Sequence, residues 1–300
     1  MSGLSLVIFC ALSLGTVVSW HGAGHMLVAH IAFKDLQKKQ IIIDAADQDL
    51  AVLAPYSKDG SHRFAESAVW SDDIKGVAWL AFNEWHFYDH YYIKDFTPGP
   101  LPDNQTNIVW ALKQCIRTLK GEAEHRSIQK LGKSFMLRFL FHLVGDIHQP
   151  LHNVSLVNAD FPQGDRGGNS FKIDMPGNHD LHTLWDKVLG KIPEMSIPLK
   201  DADFKKLDGY ADQLMKDFPK SSFTEALKEK SFDKWSLVGL DDAKKYVYDG
   251  ITVNGKPTEE YLNRGYKRAS ELIALAGYRL SDLLVEIYSK TREEPQAVPL

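Results

Sequence analysis

Imidazole and carboxylate groups recur in this chain at a spacing that suits a metal ion. In FHLVGDIHQPLH, His142 and Asp146 stand four residues apart within an apolar stretch of helical period, so both side chains leave one helix face a turn apart. Pro150 ends that helix and lets His152 turn back toward the same face. LHTLWD repeats the spacing with His182 and Asp186, and two such pairs on facing helices can build a metal site between them. WSDD adds Asp72 and WHFYDHYY adds His86, each close to a tryptophan; aromatic walls keep such a site dry and its ligands fixed. One His-x-x-x-Asp pair is a common helical salt bridge, so the weight lies in two pairs joined by His152 and His86. Nitrogen and oxygen donors without thiolate suit zinc, and also admit manganese or iron.

A further ligand depends on processing. Residues 4–18 form an uncharged apolar run with small residues at its exit, which reads as a secretory signal removed after Ser19; the run is short for a membrane span. Trp20 then becomes the amino terminus, and WHGAGH places its free amine and carbonyl near His25, with Gly22 and Gly24 allowing the chain to curl. The expected location is extracellular or in the lumen of the secretory and endolysosomal pathway, without stable membrane insertion. Of the two cysteines, Cys10 lies in the signal and Cys115 in the body, so no internal disulfide is expected and bound metal becomes a source of stability.

The elements that must position these groups are mostly helical. Apolar positions recur with helical spacing over 25–36, 108–119, 128–144 and 272–287. Strand signals are few: 170–175 alternates after glycines, and YDGITVNGKP carries Asn254-Gly255 as a hairpin turn. The expected fold is all-α with small β-hairpins. With 300 residues and no repeat or linker, the chain divides into the signal 1–19, one catalytic domain over 20–290 and a flexible tail over 291–300. The net charge of −4 excludes a generally basic nucleic-acid-binding surface, so a polyanionic substrate must meet local positive charge, which divalent cations supply.

WHGAGH, WSDD, WHFYD, FLFHLVGDIHQPLH, GDRGGNSFKI, LHTLWD and AGYRLSDLL follow one another in this order. Together they resemble the zinc-dependent single-strand nucleases of fungi and plants, the S1/P1 type, whose superfamily includes bacterial zinc phospholipase C. The resemblance implies a bundle of long helices around a trinuclear zinc site. Asp72, His86 and His142 would hold one ion, the Trp20 amine and carbonyl with His25 a second, and Asp146 would bridge the two; His152, His182 and Asp186 would hold the third. It implies hydrolysis of single-stranded DNA and RNA by metal-activated water, with 5′-phosphorylated products, and removal of phosphate from 3′-nucleotides. Asp72 would also orient the nucleophile. Lys75 stands where the fungal pattern has an arginine that steadies transition-state charge; lysine keeps the charge but not the bidentate geometry. Phe87 and Asp89 resemble the pair that stacks on a base and hydrogen-bonds its edge, and Asn169 resembles a contact to base or phosphate; core packing for Phe87 and a turn for Asn169 are the competing readings. A monomer is expected.

Two other readings stay open at this point. Phe87, Tyr88, Tyr91 and Tyr92 could cage a choline headgroup, as a phospholipase C would need. A secreted zinc-binding protein without activity would need the same ligands. Asn104 and Asn153 open glycosylation sequons, the second directly after His152.

Overall fold

Helix α1, Gly22–Asp35, is buried without interruption from Ala23 to Ala32, which places it at the centre of the molecule rather than on its surface. The computed structural model describes residues 20–74, 81–103, 105–122 and 129–289. The expected signal over 1–19 and tail over 291–300, together with Lys75 and Asn104, lie outside the described residues. The short α3 (Arg63–Glu66) and α6 (Gln129–Asp146) pack on α1, while α2 (Gln40–Ala51), α4 (Trp70–Asp73) and α5 (Ile108–Leu119) pack on α6. The carboxy-terminal half supplies α7 (Leu181–Asp186), α8 (Asp201–Asp217), α9 (Thr224–Lys228), α10 (Phe232–Asp242) and the 31-residue α11 (Glu259–Ser289), which runs along α1.

Local sequence explains several helix starts. The Asn107 side chain accepts hydrogen bonds from the Val109 and Trp110 amides at the head of α5, and Asp180 accepts from Thr183 N at the head of α7. Each satisfies amides that a helix leaves without a partner in its first turn. The long α11 begins after Thr258, whose hydroxyl accepts from Tyr261 N, and carries Glu259 and Glu260 in its first turn, where negative charge complements the helix dipole. The expected helices at 25–36, 108–119, 128–144 and 272–287 correspond to α1, α5, α6 and α11, with α1 ending one residue early and residue 128 outside the described residues.

The strands differ from expectation in arrangement. β3 (Lys172–Met175) falls in the expected strand at 170–175 and pairs antiparallel with β4 (Asn178–Asp180). The second candidate, around Asn254-Gly255, is a turn closed by Gly255 N donating to Thr252 O. It lies beside β3 through Asn254 N to Lys172 O and Asp174 N to Gly255 O, without forming a strand of its own. The other sheet is parallel, pairing β1 (Tyr91–Ile93) with β2 (Ser155–Val157); such a pairing of distant segments leaves no hairpin signature in sequence.

Candidate metal centre

The last turn of α6 carries His142 and Asp146, both fully buried, and other elements close around them. His142 Nε2 lies 3.2 Å from Asp146 Oδ2 and 3.4 Å from Asp72 Oδ1 at the end of α4. His25 Nε2, from α1, lies 3.3 Å from Asp146 Oδ1, and His86 Nδ1 lies 3.0 Å from Asp146 Oδ2. His152, in the 3-10 turn Pro150–Asn153, brings Nδ1 to 3.8 Å from Asp146 Oδ1 and Nε2 to 3.9 Å from Asp186 Oδ1. His182 Nε2 stands 3.3 Å from Asp186 Oδ2 one turn along α7.

Three sets of donors are close enough to hold an ion: His86 with His142 and Asp146, His25 with Asp72 and His142, and His152 with His182 and Asp186. The last is the set expected from the resemblance. In the first two the donors interleave, because the His25 ring stacks on His142 with centroids 3.8 Å apart. Trp20 is fully buried beside them, its indole Nε1 donating to Gly145 O at 2.9 Å.

Backbone carbonyls orient the rings. His142 Nδ1 donates to Ala68 O at 2.7 Å, His152 Nδ1 to His86 O at 2.6 Å and His182 Nδ1 to Gly167 O at 2.6 Å. In each ring the proton therefore sits on Nδ1, and Nε2 presents its lone pair to carboxylate oxygens. A lone pair facing anionic oxygens needs a cation or a proton between them, which is the test that a metal fits this donor set. Electrostatics agree. Burial pulls His142 down, but Asp146 and Asp72 outweigh it and hold the ring up at about 10. Burial and the neighbouring His142 push His25 down to about 4. Burial raises the Asp146 carboxyl, yet His142 and His152 hold it well below the usual carboxylate range. The pocket thus favours positive charge, but not on two stacked rings at once.

Two glycines permit the close approach. A Cβ on Gly145 would lie 2.7 Å from His25 Nδ1. Gly167, in the left-handed region with φ +62°, passes so near Leu151 O that a Cβ would lie 2.4 Å from it. Gly145→Ala is expected to push His25 off its stack on His142 and destabilise the protein by about 1–3 kcal/mol, the usual range for overpacking. A thermal melt and a metal titration check it; an unchanged melting temperature with full metal uptake would show that α1 yields freely.

Sequence reading missed several supporting groups. Gln149 donates Nε2 to Asp186 Oδ1 at 2.8 Å and accepts from Leu151 N at 2.6 Å, tying the His152 turn to α7. Its place before Pro150 was the available signal. The parallel pairing of β1 with β2 is extended by Tyr88 N donating to His152 O and Ser155 N to His90 O, which sets the WHFYD segment over the His152 turn. Beside it, Asp89 is pushed up to about 7 by burial and by Asp165, with Arg166 opposing. Asp165 itself accepts from Tyr248 OH and Leu156 N.

The expected substrate residues divide. Phe87 is half-buried and, among the described residues, neither joins the core nor makes a ring contact. Asn169 closes a turn, its Nδ2 donating to Arg166 O at 2.7 Å. Tyr88 packs on His90, Tyr91 donates to Pro102 O, and Tyr92 lies near Tyr248, so the aromatic residues considered for a choline cage are dispersed. Asn153 is fully buried and donates Nδ2 to Ile147 O and Gln149 O, which leaves no room for a glycan.

A helical protein built around a buried array of imidazoles and carboxylates is the class this fold and site define. The chain belongs to the S1/P1 nuclease family, whose model matches residues 20–289, and is thereby a hydrolytic nuclease. Nuclease S1 of Aspergillus oryzae is 30% identical over 289 residues, covering 90% of this chain and 92% of its own length. Endonuclease 3 of Arabidopsis thaliana is 24% identical over 303 residues, covering 93% and 92%. Nuclease P1 of Penicillium citrinum is 25% identical over 180 residues, covering 57% of this chain.

Proposed function

We propose that the protein is a secreted, zinc-dependent endonuclease that cleaves single-stranded DNA and RNA to 5′-phosphorylated products and removes phosphate from 3′-nucleotides. The observation that carries this reading is the convergence of His25, Asp72, His86, His142, Asp146, His152, His182 and Asp186 on one buried site. Three zinc ions are the proposed complement. Removal of residues 1–19 would free the Trp20 amine as a further ligand and deliver the protein outside the cytoplasm; among the described residues no helix is long and apolar enough to cross a membrane. Asn104 is the sequon proposed to carry a glycan, and a monomer suffices for the site.

When bound, zinc supplies a Lewis acid for the phosphoryl oxygens and lowers the pKa of water. The residues do the rest. Asp72 has a side chain 17% exposed where its buried partners are almost closed to solvent, so its carboxylate is placed to accept a proton from the attacking water and aim it. Lys75, three residues on, would steady charge on the phosphate. Phe87 offers a ring face to a base, which a duplex hides by stacking, and Asp89 offers a carboxylate to its edge; Asn169 borders the same turn as Arg166.

Phe87→Ala is expected to raise KM on single-stranded oligonucleotides about 5- to 150-fold with little change in kcat, since stacking contributes roughly 1–3 kcal/mol per base; steady-state kinetics check it. Asp89 accepts most strongly from a base N–H when ionised, and a protonated carboxyl offers only its carbonyl oxygen. With its carboxyl near 7, KM should fall as pH rises through that value, and the step should vanish in Asp89→Asn. A pH profile of KM unchanged by that substitution removes Asp89 from recognition.

Digestion of single-stranded DNA, single-stranded RNA, a duplex and phosphatidylcholine by the purified protein, with zinc and with chelator, tests the reading. Zinc-dependent 5′-phosphorylated products from the single strands support it. Turnover of the lipid alone would move the protein to a phospholipase role, and zinc uptake with no turnover to a binding role.

A further inference from the structure

The guanidinium of Arg279, on α11, is buried with 5% of the residue exposed, and among the described residues no carboxylate lies within 4.0 Å of it. A buried arginine ordinarily meets an acid. Arg138, equally deep, does so: its Nη1 donates to Asp59 Oδ1 at 3.1 Å. Arg279 instead donates Nη2 to Ala226 O at 2.9 Å and Nη1 to His148 Nε2 at 2.7 Å, while its guanidinium carbon sits 4.2 Å over the Trp235 ring. Glu229 acts on it only from beyond contact distance, so direct charge pairing is not what has placed the cation there.

The partner explains the placement. Arginine can only donate, so His148 Nε2 must accept, and the ring proton is left on Nδ1. Nδ1 donates to Val144 O at 2.7 Å. Val144 O is one of the last four carbonyls of α6, the groups a helix leaves without a partner. Ile147 N takes Leu143 O, His148 N and the Trp20 indole take Gly145 O, and Gln149 N takes Asp146 O. The His148 ring takes the remaining one, and Arg279 behind it brings positive charge to the negative end of the helix. Trp235 packs against both groups, its centroid 5.3 Å from that of His148.

We propose that Arg279 is a positioning residue for the metal centre: through the His148 ring it fixes the tautomer and holds the last turn of α6 and the turn to His152, and with them Asp146 and His152. The inference rests on the zinc reading above. It concerns geometry that the metal ligands cannot set for themselves, because the cluster carboxylates and imidazoles would otherwise relax around whichever charge is present.

The test measures zinc affinity by competition with a chromogenic chelator, together with melting temperatures of the metal-free and zinc-loaded protein. Arg279→Leu, which leaves no N–H for His148 Nε2, is expected to weaken zinc binding about tenfold, the low end of the range seen when outer partners of a metal ligand are lost, because it acts through the backbone of α6. It should also shrink the rise in melting temperature that zinc produces and lower kcat with little change in KM. His148→Leu should match it, and the double variant should be little worse than either, because both act along one path. His148→Gln can accept from Arg279 and donate to Val144 O, so it should keep affinity within about threefold of wild type, a smaller loss than that expected when an outer partner is removed. Equal falls in both melting temperatures with zinc affinity unchanged would show that Arg279 is only a packing residue and overturn the inference alone. A wild-type protein that takes up no zinc would overturn the zinc reading and this inference together.

Discussion

Asp146→Asn is expected to lower nuclease activity about a thousandfold or more while leaving the fold intact. The carboxylate is fully buried and lies between 3.0 and 3.8 Å from nitrogens of His25, His86, His142 and His152. Asparagine keeps the shape and removes the charge that lets a cation stay. A metal contributes several kcal/mol to a phosphoryl transition state, and about 4 kcal/mol corresponds to three powers of ten in rate.

The same substitution should change how the metal-free protein responds to pH. Asp146 is held well below the usual carboxylate value of 3.8. Its contribution to stability is therefore present above that value and lost only as pH falls further. His142 is held up from 6.5 to about 10, so its contribution is full below 6.5 and disappears as pH rises through 10. Metal-free wild type should thus lose stability between pH 6.5 and 10, and Asp146→Asn should largely lose that slope, because the raised value of His142 depends on the carboxylate. Urea titrations across this range decide it. An equal slope in the variant would mean that Asp72 alone holds the proton on His142.

Stripping the metal is expected to abolish activity and lower the melting temperature by on the order of 10 °C for each site emptied, with zinc restoring both. A ligand present at a thousand times its dissociation constant stabilises the folded state by about 4 kcal/mol per site, and each kcal/mol moves the melting temperature of a chain this long by roughly 2–4 °C. Zinc binding must displace the proton on His142, so the zinc concentration needed for half-recovery should fall as pH rises from 6 to 8. Calorimetry with and without chelator measures the stability effect, and activity recovery during zinc titration measures the affinity. Undiminished turnover in chelator, with no shift in melting temperature, would end the metal reading.

Replacing Asp146 and removing the ion test different things. A donor can add stability to a buried cluster even when no metal is bound, because His142 and Asp146 already stabilise each other. Loss of activity on chelation with the melting temperature unchanged would point to weakly held ions serving catalysis alone. Loss of both would mean that the centre also holds α1, α6 and α7 together, in a protein whose Cys115 is free and buried.

What the sequence by itself determined was the chemistry of the donors and the pairs set by local geometry. His142 with Asp146 and His182 with Asp186 needed only the four-residue period of a helix, and Pro150 was enough to bend His152 back. Periodicity also placed α1, α5 and α6 and the core of α11. The tertiary structure decided what depends on contacts between distant segments. It stacked His25 on His142, required a glycine at 145, and joined β1 to β2 in parallel so that the WHFYD segment lies over the His152 turn. It set Asp165 and Arg166 beside Asp89, buried the Asn153 sequon, and gave Arg279 a histidine where an acid was to be expected. Local spacing encodes which face of an element a side chain leaves, whereas these arrangements follow from how separate faces pack, and that is set by the whole core rather than by any one segment.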